Sequence, residues 1–419
     1  DWTTESNITL NDSENQKEKK YKVLDLFAGC GGLSKGFELA GFDIVAANEF
    51  WEPAQETYKK NHKNTKFFPG DITDSKTKKA IFDYFKKENC DLIIGGPPCQ
   101  AYSTAGLRNP DDPRGKLFKD YVEIVNHIKP KMFVMENVKG ILTMEHDRED
   151  LTKKEKDELE QFKKLEKEKS ELLLLRKQSK NNSERFKFGR DEERRLEEVS
   201  RMLQENFHNI SKLREPVTNM VVKKFKEIGY NVKFKLLNAA DYGVPQKRER
   251  VIFIGTKSNI EINPPKKTHS EKAQVLLNGK KLLPWVTVKE AIDDLKNKDE
   301  DYKFNHLITS HDPNFVEKIK KTPIGKGVFG GYSDAFFRNP PHEPARTVKE
   351  NHCGVLVHYE KTRVMTPREL ARLQSFPDSF LFEGSKSNIL KQIGNAVPPM
   401  LGKAVGEAVK QLLKETESK

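Results

Sequence analysis

Cys99 closes the segment Gly95-Gly96-Pro97-Pro98-Cys99-Gln100. Two prolines hold the chain before it in a stiff, extended path. The glycines ahead of them let backbone come close to a ligand. A cysteine that only fills a core needs no such presentation, whereas a thiolate nucleophile does. Three carboxylates, Glu49, Asp71 and Glu136, each follow an apolar run. Arg248 and Arg250 flank Glu249 in Gln246-Lys247-Arg248-Glu249-Arg250, which leads into Val251-Ile252-Phe253-Ile254. On a strand the two arginines face one way, and paired guanidinium forks could hold a phosphate or a carbonyl.

These groups need elements that bring them together. Tyr21 to Phe27 reads as a strand and Leu33 to Ala40 as a helix, with Asp25-Leu26-Phe27-Ala28-Gly29-Cys30-Gly31-Gly32 spanning the junction. Strand, glycine-rich turn and helix form the first unit of a nucleotide-type α/β site, though not in the dinucleotide Gly-x-Gly-x-x-Gly pattern. The next strand, Asp43 to Asn48, ends in Glu49, where an acidic residue suits the hydroxyls of a ribose. A third unit, Phe67 to Thr73, ends with Gly70-Asp71-Ile72. Asp71 could reach an adenine amino group and Ile72 could pack on the ring. Leu92-Ile93-Ile94 is the short buried strand before Cys99, and Lys131 to Met135 is the strand before Glu136-Asn137-Val138. Four successive strand ends thus carry a polar or reactive group, which is where open α/β sheets place ligands.

The chain has 419 residues, enough for one large domain and a smaller one. A net charge of +12 suggests a polyanionic partner, usually nucleic acid. No stretch approaches the roughly 20 apolar residues of a membrane span. Asp1 to Lys20 is polar, lacks the apolar stretch of a secretory leader, and is expected to be a disordered tail. Cys30, Cys90, Cys99 and Cys353 show neither metal-like spacing nor a paired framework, which fits a reducing cytoplasm and no metal site.

Residues 145–215 are dominated by Glu, Lys, Arg and Asp, and read as two long charged helices forming a hairpin with its turn at Lys180-Asn181-Asn182-Ser183. Such an arm is either a solvated appendage or a surface for DNA or a partner. Strands resume at Tyr230 to Leu237 and Val251 to Ile254. Residues 257–360 lose the βα alternation and read as a second, smaller domain with irregular loops, notably Gly325 to Gly331. Thr366 to Leu373 is a helix with Thr366 as N-cap and Pro367 in its first turn. Gln392 to Pro399 leads to the last helix, Met400 to Leu413. The division expected is a tail at 1–20, a catalytic domain at 21–144 and 216–256, the insertion at 145–215, the second domain at 257–360, and a return to the catalytic domain at 361–419.

The ordered set Asp25–Gly32, Gly95–Gln100, Glu136–Val138, Gln246–Arg250, Arg368–Asp378 and Gly394–Pro399 resembles the bacterial cytosine-C5 DNA methyltransferases, over residues 21–256 and 361–415. Within that family it is most similar to mollicute-type CpG-specific enzymes. The charged insertion is a departure, since many members lack it. The resemblance implies a class I S-adenosylmethionine-dependent methyltransferase (Rossmann-like) α/β sheet with a smaller target-recognition domain, and duplex DNA as substrate. It implies a monomer acting in the bacterial cytoplasm, on the nucleoid and away from membranes.

By the same resemblance, Cys99 is the nucleophile, Glu136 the acid, and Arg250 with Arg248 the holders of a cytosine O2. S-adenosylmethionine, which leaves as S-adenosylhomocysteine, would be held by Asp25, Phe27, Gly29, Gly31, Gly32, Glu49, Asp71, Ile72, Pro98, Leu117, Asn395 and Ala396. Many members have Trp after the ribose acid. Here Phe50 takes that place and Trp51 follows. Gln100, Ser103, Asn109 and Arg114 lie on a loop expected to close over DNA, while Lys326, Arg338 and Arg346 are expected to read bases in the second domain. Two alternatives share these motifs. A tRNA cytosine-C5 methyltransferase would carry Cys-Phe-Thr in the second domain, which is absent here. An inactive DNA-binding protein would have lost Cys99 or Glu136, and both are present.

Overall fold

The computed structural model describes residues 20–98, 113–181, 188–329, 336–349 and 356–418, without the side chains of 113–116, 180 and 181. Cys99, Gln100, Ser103, Asn109, Cys353, the Arg114 side chain, the tail through residue 19 and the hairpin turn at 182–183 lie outside the described residues.

In chain order the elements begin with β1 (Lys22–Leu26), α1 (Gly32–Leu39), β2 (Asp43–Glu49), α2 (Glu52–Asn61), β3 (Lys66–Pro69), α3 (Ser75–Phe85), β4 (Leu92–Gly95), α4 (Pro113–Ile128) and β5 (Met132–Val138). Next come β6 (Glu145–Asp147), α5 (Lys153–Asn181), α6 (Arg190–Ser211), β7 (Arg214–Pro216), α7 (Val217–Glu227), β8 (Asn231–Asn238) and β9 (Glu249–Thr256). The rest are β10 (His269–Ser270), β11 (Gln274–Val275), β12 (Lys281–Pro284), α8 (Val288–Ile292), α9 (Pro313–Lys321), α10 (Pro367–Leu373), α11 (Lys386–Asn395) and α12 (Pro399–Glu417).

The described residues divide into two compact units. The first takes in the chain up to Pro98, Lys116–Lys139 and everything from Phe225 onward. Its sheet has the order β3-β2-β1-β4-β5-β9-β8. The first five strands are parallel, and β9 runs antiparallel to both β5 and β8. The chain moves outward from β1 to β3 and then returns to β4 on the other side of β1. The carboxyl ends of β1 and β4 therefore flank the switch point where a ligand crevice opens.

Both faces of the parallel strands are covered, so their sequences are nearly continuous apolar runs. Alternation sends Val23, Ile94 and Val134 to one face, where Phe37 of α1 and Leu401, Val405 and Val409 of α12 cover them. Asp25 is on that same face. A second core joins Val288, Ile292, Phe337, Val348, Leu370, Phe376 and Ile393. It also includes Cys30 and Ala396, which ties the later chain to the glycine turn after β1.

Thr366 caps α10 as its position suggested: its hydroxyl accepts from Glu369 N, and the Glu369 carboxylate accepts from Thr366 N. Two segments are more regular than the sequence reading allowed. Residues 386–395 form a helix, opened by Ser385, whose side chain accepts from Asn388 N. Its buried apolar residues are Ile389 and Ile393, with Leu390 packed partly buried beside them, a stripe too narrow to announce itself. Residues 269–284 form a three-stranded sheet in the order β10-β12-β11.

The second unit, Gly140–Lys224, is built on α5 and α6 packed side by side. β6 and β7 pair antiparallel at their feet. Leu159, Phe162, Ile210 and Leu213 make a small core. Arg195 holds Glu168 through two N–H donors, at 2.6 and 3.0 Å.

Candidate active site

Glu49 ends β2 almost wholly buried. Its Oε2 accepts from Gly29 N at 2.8 Å, and its Oε1 from Phe50 N and Trp51 N at 2.9 and 2.8 Å. Three backbone donors thus fix one carboxylate between the glycine turn and the start of α2. Burial pushes its pKa up, while the three N–H groups pull it back. Phe50 beside it is 68% exposed. Phe27 holds a left-handed backbone, φ 56°, at the mouth of the same turn. Such strain in an aromatic residue is sustained only where its surroundings over-determine it. Ile72 is buried below, whereas Asp71 is exposed, with Oδ1 accepting from the backbone and hydroxyl of Thr73.

Asp25 lies at the base of this edge. Its Oδ2 accepts from Ser34 Oγ at 2.6 Å, and Ser34 Oγ lies 2.8 Å from Tyr58 OH. Ser34 has a single hydrogen and gives it to Asp25, so Tyr58 donates to Ser34. Asp25 Oδ1 is buried with no hydrogen-bond partner among the described residues.

Burial pushes the Asp25 carboxyl up to about 7, against the Ser34 bond and with Glu49 adding to the rise. In the unfolded chain it titrates near 3.8. Between these values the folded protein holds the extra proton. This group's contribution to stability therefore falls as pH rises through that window, and levels off above it. Asp25→Asn removes the loss. The melting temperature of the variant relative to the parent should climb from about pH 4 to about pH 7 and then stay flat. A difference that does not change with pH would show that Asp25 is ionised throughout.

The other half of the edge is formed by β4, β5 and β9. Pairing of Val138 with Arg250 and of Glu136 with Ile252 puts Glu136 and Arg250 on one face of the sheet, diagonally across the strands. Arg250 Nε lies 2.8 Å from Glu136 Oε1, and both side chains are mostly buried. Gly96 closes over them. A Cβ there would lie 2.7 Å from Glu136 Oε2, so a larger residue would push the tip of the carboxylate aside. Asn137 Nδ2 donates to Pro97 O at 3.0 Å, which clamps the proline path to β5. The described path ends at half-buried Pro98, the residue before Cys99 in sequence.

Arg248 lies near Arg250 and Glu136 but is buried rather than open to a ligand. It precedes the first residue of β9, and the chain there sends it inward. It is 2% exposed. Nη1 donates to Val348 O and Nη2 to Gly394 O, each at 2.8 Å. Burial, with Arg250 nearby, pulls its pKa down, while Glu136 opposes the shift. Both terminal nitrogens are thus engaged by backbone carbonyls, while Nε is buried with no hydrogen-bond partner among the described residues; the bonds it makes give Arg248 a positioning role.

Gln246 and Gln374, which sequence reasoning passed over as site residues, complete the brace. Gln246 Nε2 donates to Gln374 Oε1 and to Leu373 O, and Gln246 Oε1 accepts from Val348 N. Gln374 Nε2 donates to Ile393 O and Ala396 O. The brace holds the turn that carries exposed Asn395 and buried Ala396. That turn reaches Gly32, where a Cβ would collide with Val397 O. Leu117 is half-buried on α4.

The expected base readers divide. Arg338 donates to the carbonyls of Ile319, Thr322, Tyr359 and Glu360, so its fork is committed to holding loops together. Lys326 is exposed. Arg346 is exposed and lies flat on Phe337, 3.6 Å from the ring centroid.

Comparison with known proteins agrees with this geometry. The family model for C-5 cytosine-specific DNA methylase matches residues 21–166 and 198–411. The chain is 32% identical to the type II methyltransferase M.FnuDI of Fusobacterium nucleatum, over 94% of this chain and 96% of that one. It is 31% identical to M1.HphI of Haemophilus parahaemolyticus, over 92% and 86%. It is 30% identical to M.DdeI of Desulfomicrobium norvegicum, over 92% and 88%. None of these three comes from a mollicute, so they do not carry the narrower likeness. Among solved structures, DNMT2 of Spodoptera frugiperda superposes with a TM-score of 0.53 at 18% identity, covering 94% of this chain and 100% of that one, a likeness of fold alone. The mixed, mostly parallel sheet is that of class I methyltransferases, whose family generally uses S-adenosylmethionine. The chain belongs to the C-5 cytosine-specific DNA methylase family and is a DNA (cytosine-5-)-methyltransferase.

Proposed function

We propose that this chain methylates C5 of a cytosine flipped out of duplex DNA, with S-adenosylmethionine as donor, at CpG, through a covalent Cys99 adduct. The observation that carries the reading is the Glu136–Arg250 pair closed over by Gly96, three residues before Cys99.

The residues fit the cofactor. The unpartnered, buried Asp25 Oδ1 is an acceptor suited to an ammonium. Glu49, fixed by three backbone donors, keeps acceptor capacity for a ribose hydroxyl. Exposed Phe50 offers a face to a purine. When bound, S-adenosylmethionine supplies an electrophilic methyl group on a sulfonium sulfur.

The protein's own task is to make C5 nucleophilic. The Cys99 thiolate adds to C6, forming a carbon–sulfur bond and pushing the ring electrons toward N3. Glu136 delivers a proton at N3, which neutralises the charge that develops there. Arg250 donates to O2. The ring is then enamine-like at C5. After substitution, the C5 proton passes to water, the Cys99 thiolate is expelled and N3 returns its proton to Glu136, which restores the neutral aromatic ring. C6 of a stacked cytosine cannot be reached, so the base leaves the duplex.

In this reading residues 257–360 select the target and 145–215 form a peripheral arm. Lys326 and Arg346 remain as candidates for guanine N7 and O6. The type II names of the relatives suggest a place in restriction and modification.

Bisulfite sequencing of plasmid treated with the protein and S-adenosylmethionine tests the specificity. Methylation is expected at CpG in every flanking context and on both strands, because the dinucleotide is its own complement. Methylation confined to a longer motif, or centred on CpA, CpT or CpC, would refute CpG and leave the reaction class intact.

A further inference from the structure

The hairpin of β11 and β12 carries features that the chemistry at Glu136 and Arg250 does not use. Its sequence is Gln274-Val275-Leu276-Leu277-Asn278-Gly279-Lys280-Lys281-Leu282-Leu283. Val275 pairs with Lys281, and Gln274 with Leu282. Alternation then places Val275, Lys281 and Leu283 on one face, and all three are exposed. Leu282 points to the other face and is buried.

The turn is complete without an apolar apex. Gly279 N donates to Leu276 O and Leu276 N to Lys280 O, both at 2.8 Å. Gly279 takes the left-handed conformation, φ 79°, and Asn278 Oδ1 accepts from Lys280 N. Leu277 therefore has no local role, yet it sits fully exposed at the tip. A cluster of apolar side chains held in water marks an interaction surface.

Charge says what kind of partner. Over residues 266–283 the ionised groups are Lys266, Lys267, Lys272, Lys280 and Lys281 against Glu271 alone. Lys267 is paired with Asp241 at 2.7 Å.

Placement says where the partner runs. Trp285 Nε1 donates to Asp241 Oδ1 at 3.0 Å, and Thr268 N donates to Asp241 O. Asp241 lies in the turn between β8 and β9, and the last residue of β8, Asn238, pairs with Glu249. The hairpin is therefore anchored at the sheet edge that carries Arg250 and Glu136.

We propose that this hairpin grips duplex DNA beside the target site, with Leu277 seated in a groove and the lysines on phosphates. Apolar side chains entering a groove and basic side chains on the backbone are a recurring pair in DNA binding. The proposal rests on the reading of the chain as a DNA methyltransferase.

The test compares Leu277→Ser and a Lys280→Glu/Lys281→Glu double variant with the parent, on a short duplex that barely spans the target and on a long one. Leu277→Ser is expected to weaken binding of the long duplex about fivefold or more. The double variant is expected to flatten the salt dependence of that binding by about two units of log–log slope. Binding of the short duplex, which does not reach the hairpin, should change less than about twofold in both variants, and their melting temperatures should match the parent's, which shows that they fold. Parental affinity and slope on the long duplex would overturn the proposal. So would a dimer of the parent that Leu277→Ser dissolves with no change in DNA binding, since the occupant would then be a second copy. Failure of the parent to methylate either duplex would bring down the methyltransferase reading and the proposal with it.

Discussion

DNA with 5-fluorocytosine at the target is expected to yield a complex with the parent protein that survives denaturing electrophoresis, and no such complex with Cys99→Ala. The thiolate adds to C6 in either substrate. Release then requires loss of the hydrogen at C5 as a proton, and fluorine cannot leave in that way. The adduct therefore persists. Alanine has no nucleophile, and methyl transfer should fall by about 10⁴-fold or more. DNA binding should persist, because affinity for the duplex comes mainly from phosphate contacts. Denaturant-stable trapping by the alanine variant, equal to that by the parent, would sink the assignment of Cys99.

Arg248→Ala should destabilise the fold and loosen the cofactor turn together. The substitution leaves Val348 O and Gly394 O without their donors and opens a cavity where the guanidinium lay. Each buried carbonyl stripped of its partner costs about 1–3 kcal/mol, before the cavity is counted. The melting temperature should drop by roughly 5 °C or more. Gly394 directly precedes Asn395 and Ala396, so affinity for S-adenosylmethionine should fall as well. Arg248→Lys can satisfy only one of the two separated carbonyls and should lie between. Thermal unfolding and equilibrium cofactor binding read the two effects. An alanine variant with the parent's melting temperature and cofactor affinity, but a reduced single-turnover rate, would place Arg248 on the substrate.

The contrast between Arg248 and Arg250 shows where local pattern stops. Alternation assigns both to one face, and this holds only inside a strand. β9 begins at Glu249, so Arg250 is held within the ladder and pairs with Glu136, whereas Arg248 lies just before it and is buried on the carbonyls of Val348 and Gly394. The boundary is set by the partner strands. β8 and β5 both end their pairing with β9 here, at Asn238 and Val138. Arg338 makes a similar point. Its sequence neighbourhood of glycine and basic residues suits a flexible reader of bases. Only the packed loops around Ile319, Thr322, Tyr359 and Glu360 reveal that its donors are already taken.

What the sequence determined by itself was the part of the site governed by local rules. A strand followed by glycines and a helix specifies the first turn. An acidic residue at the end of the next strand specifies Glu49. Two prolines specify the stiff path as far as Pro98. Thr366, followed three residues later by Glu369, specifies the start of α10. Each depends on neighbours a few residues away, so composition and spacing suffice. Tertiary structure decided the groups whose partners are remote in sequence. Glu136 meets Arg250 because β9 inserts antiparallel beside β5. Asp25 Oδ1 has no hydrogen-bond partner among the described residues because Ser34, itself bonded to Tyr58, reaches only Oδ2. Gln246, Arg248 and Gln374 become a brace because the chain after β9 folds back on the glycine turn. A buried hydrogen bond is defined by both of its ends, and a linear sequence displays only one of them at a time.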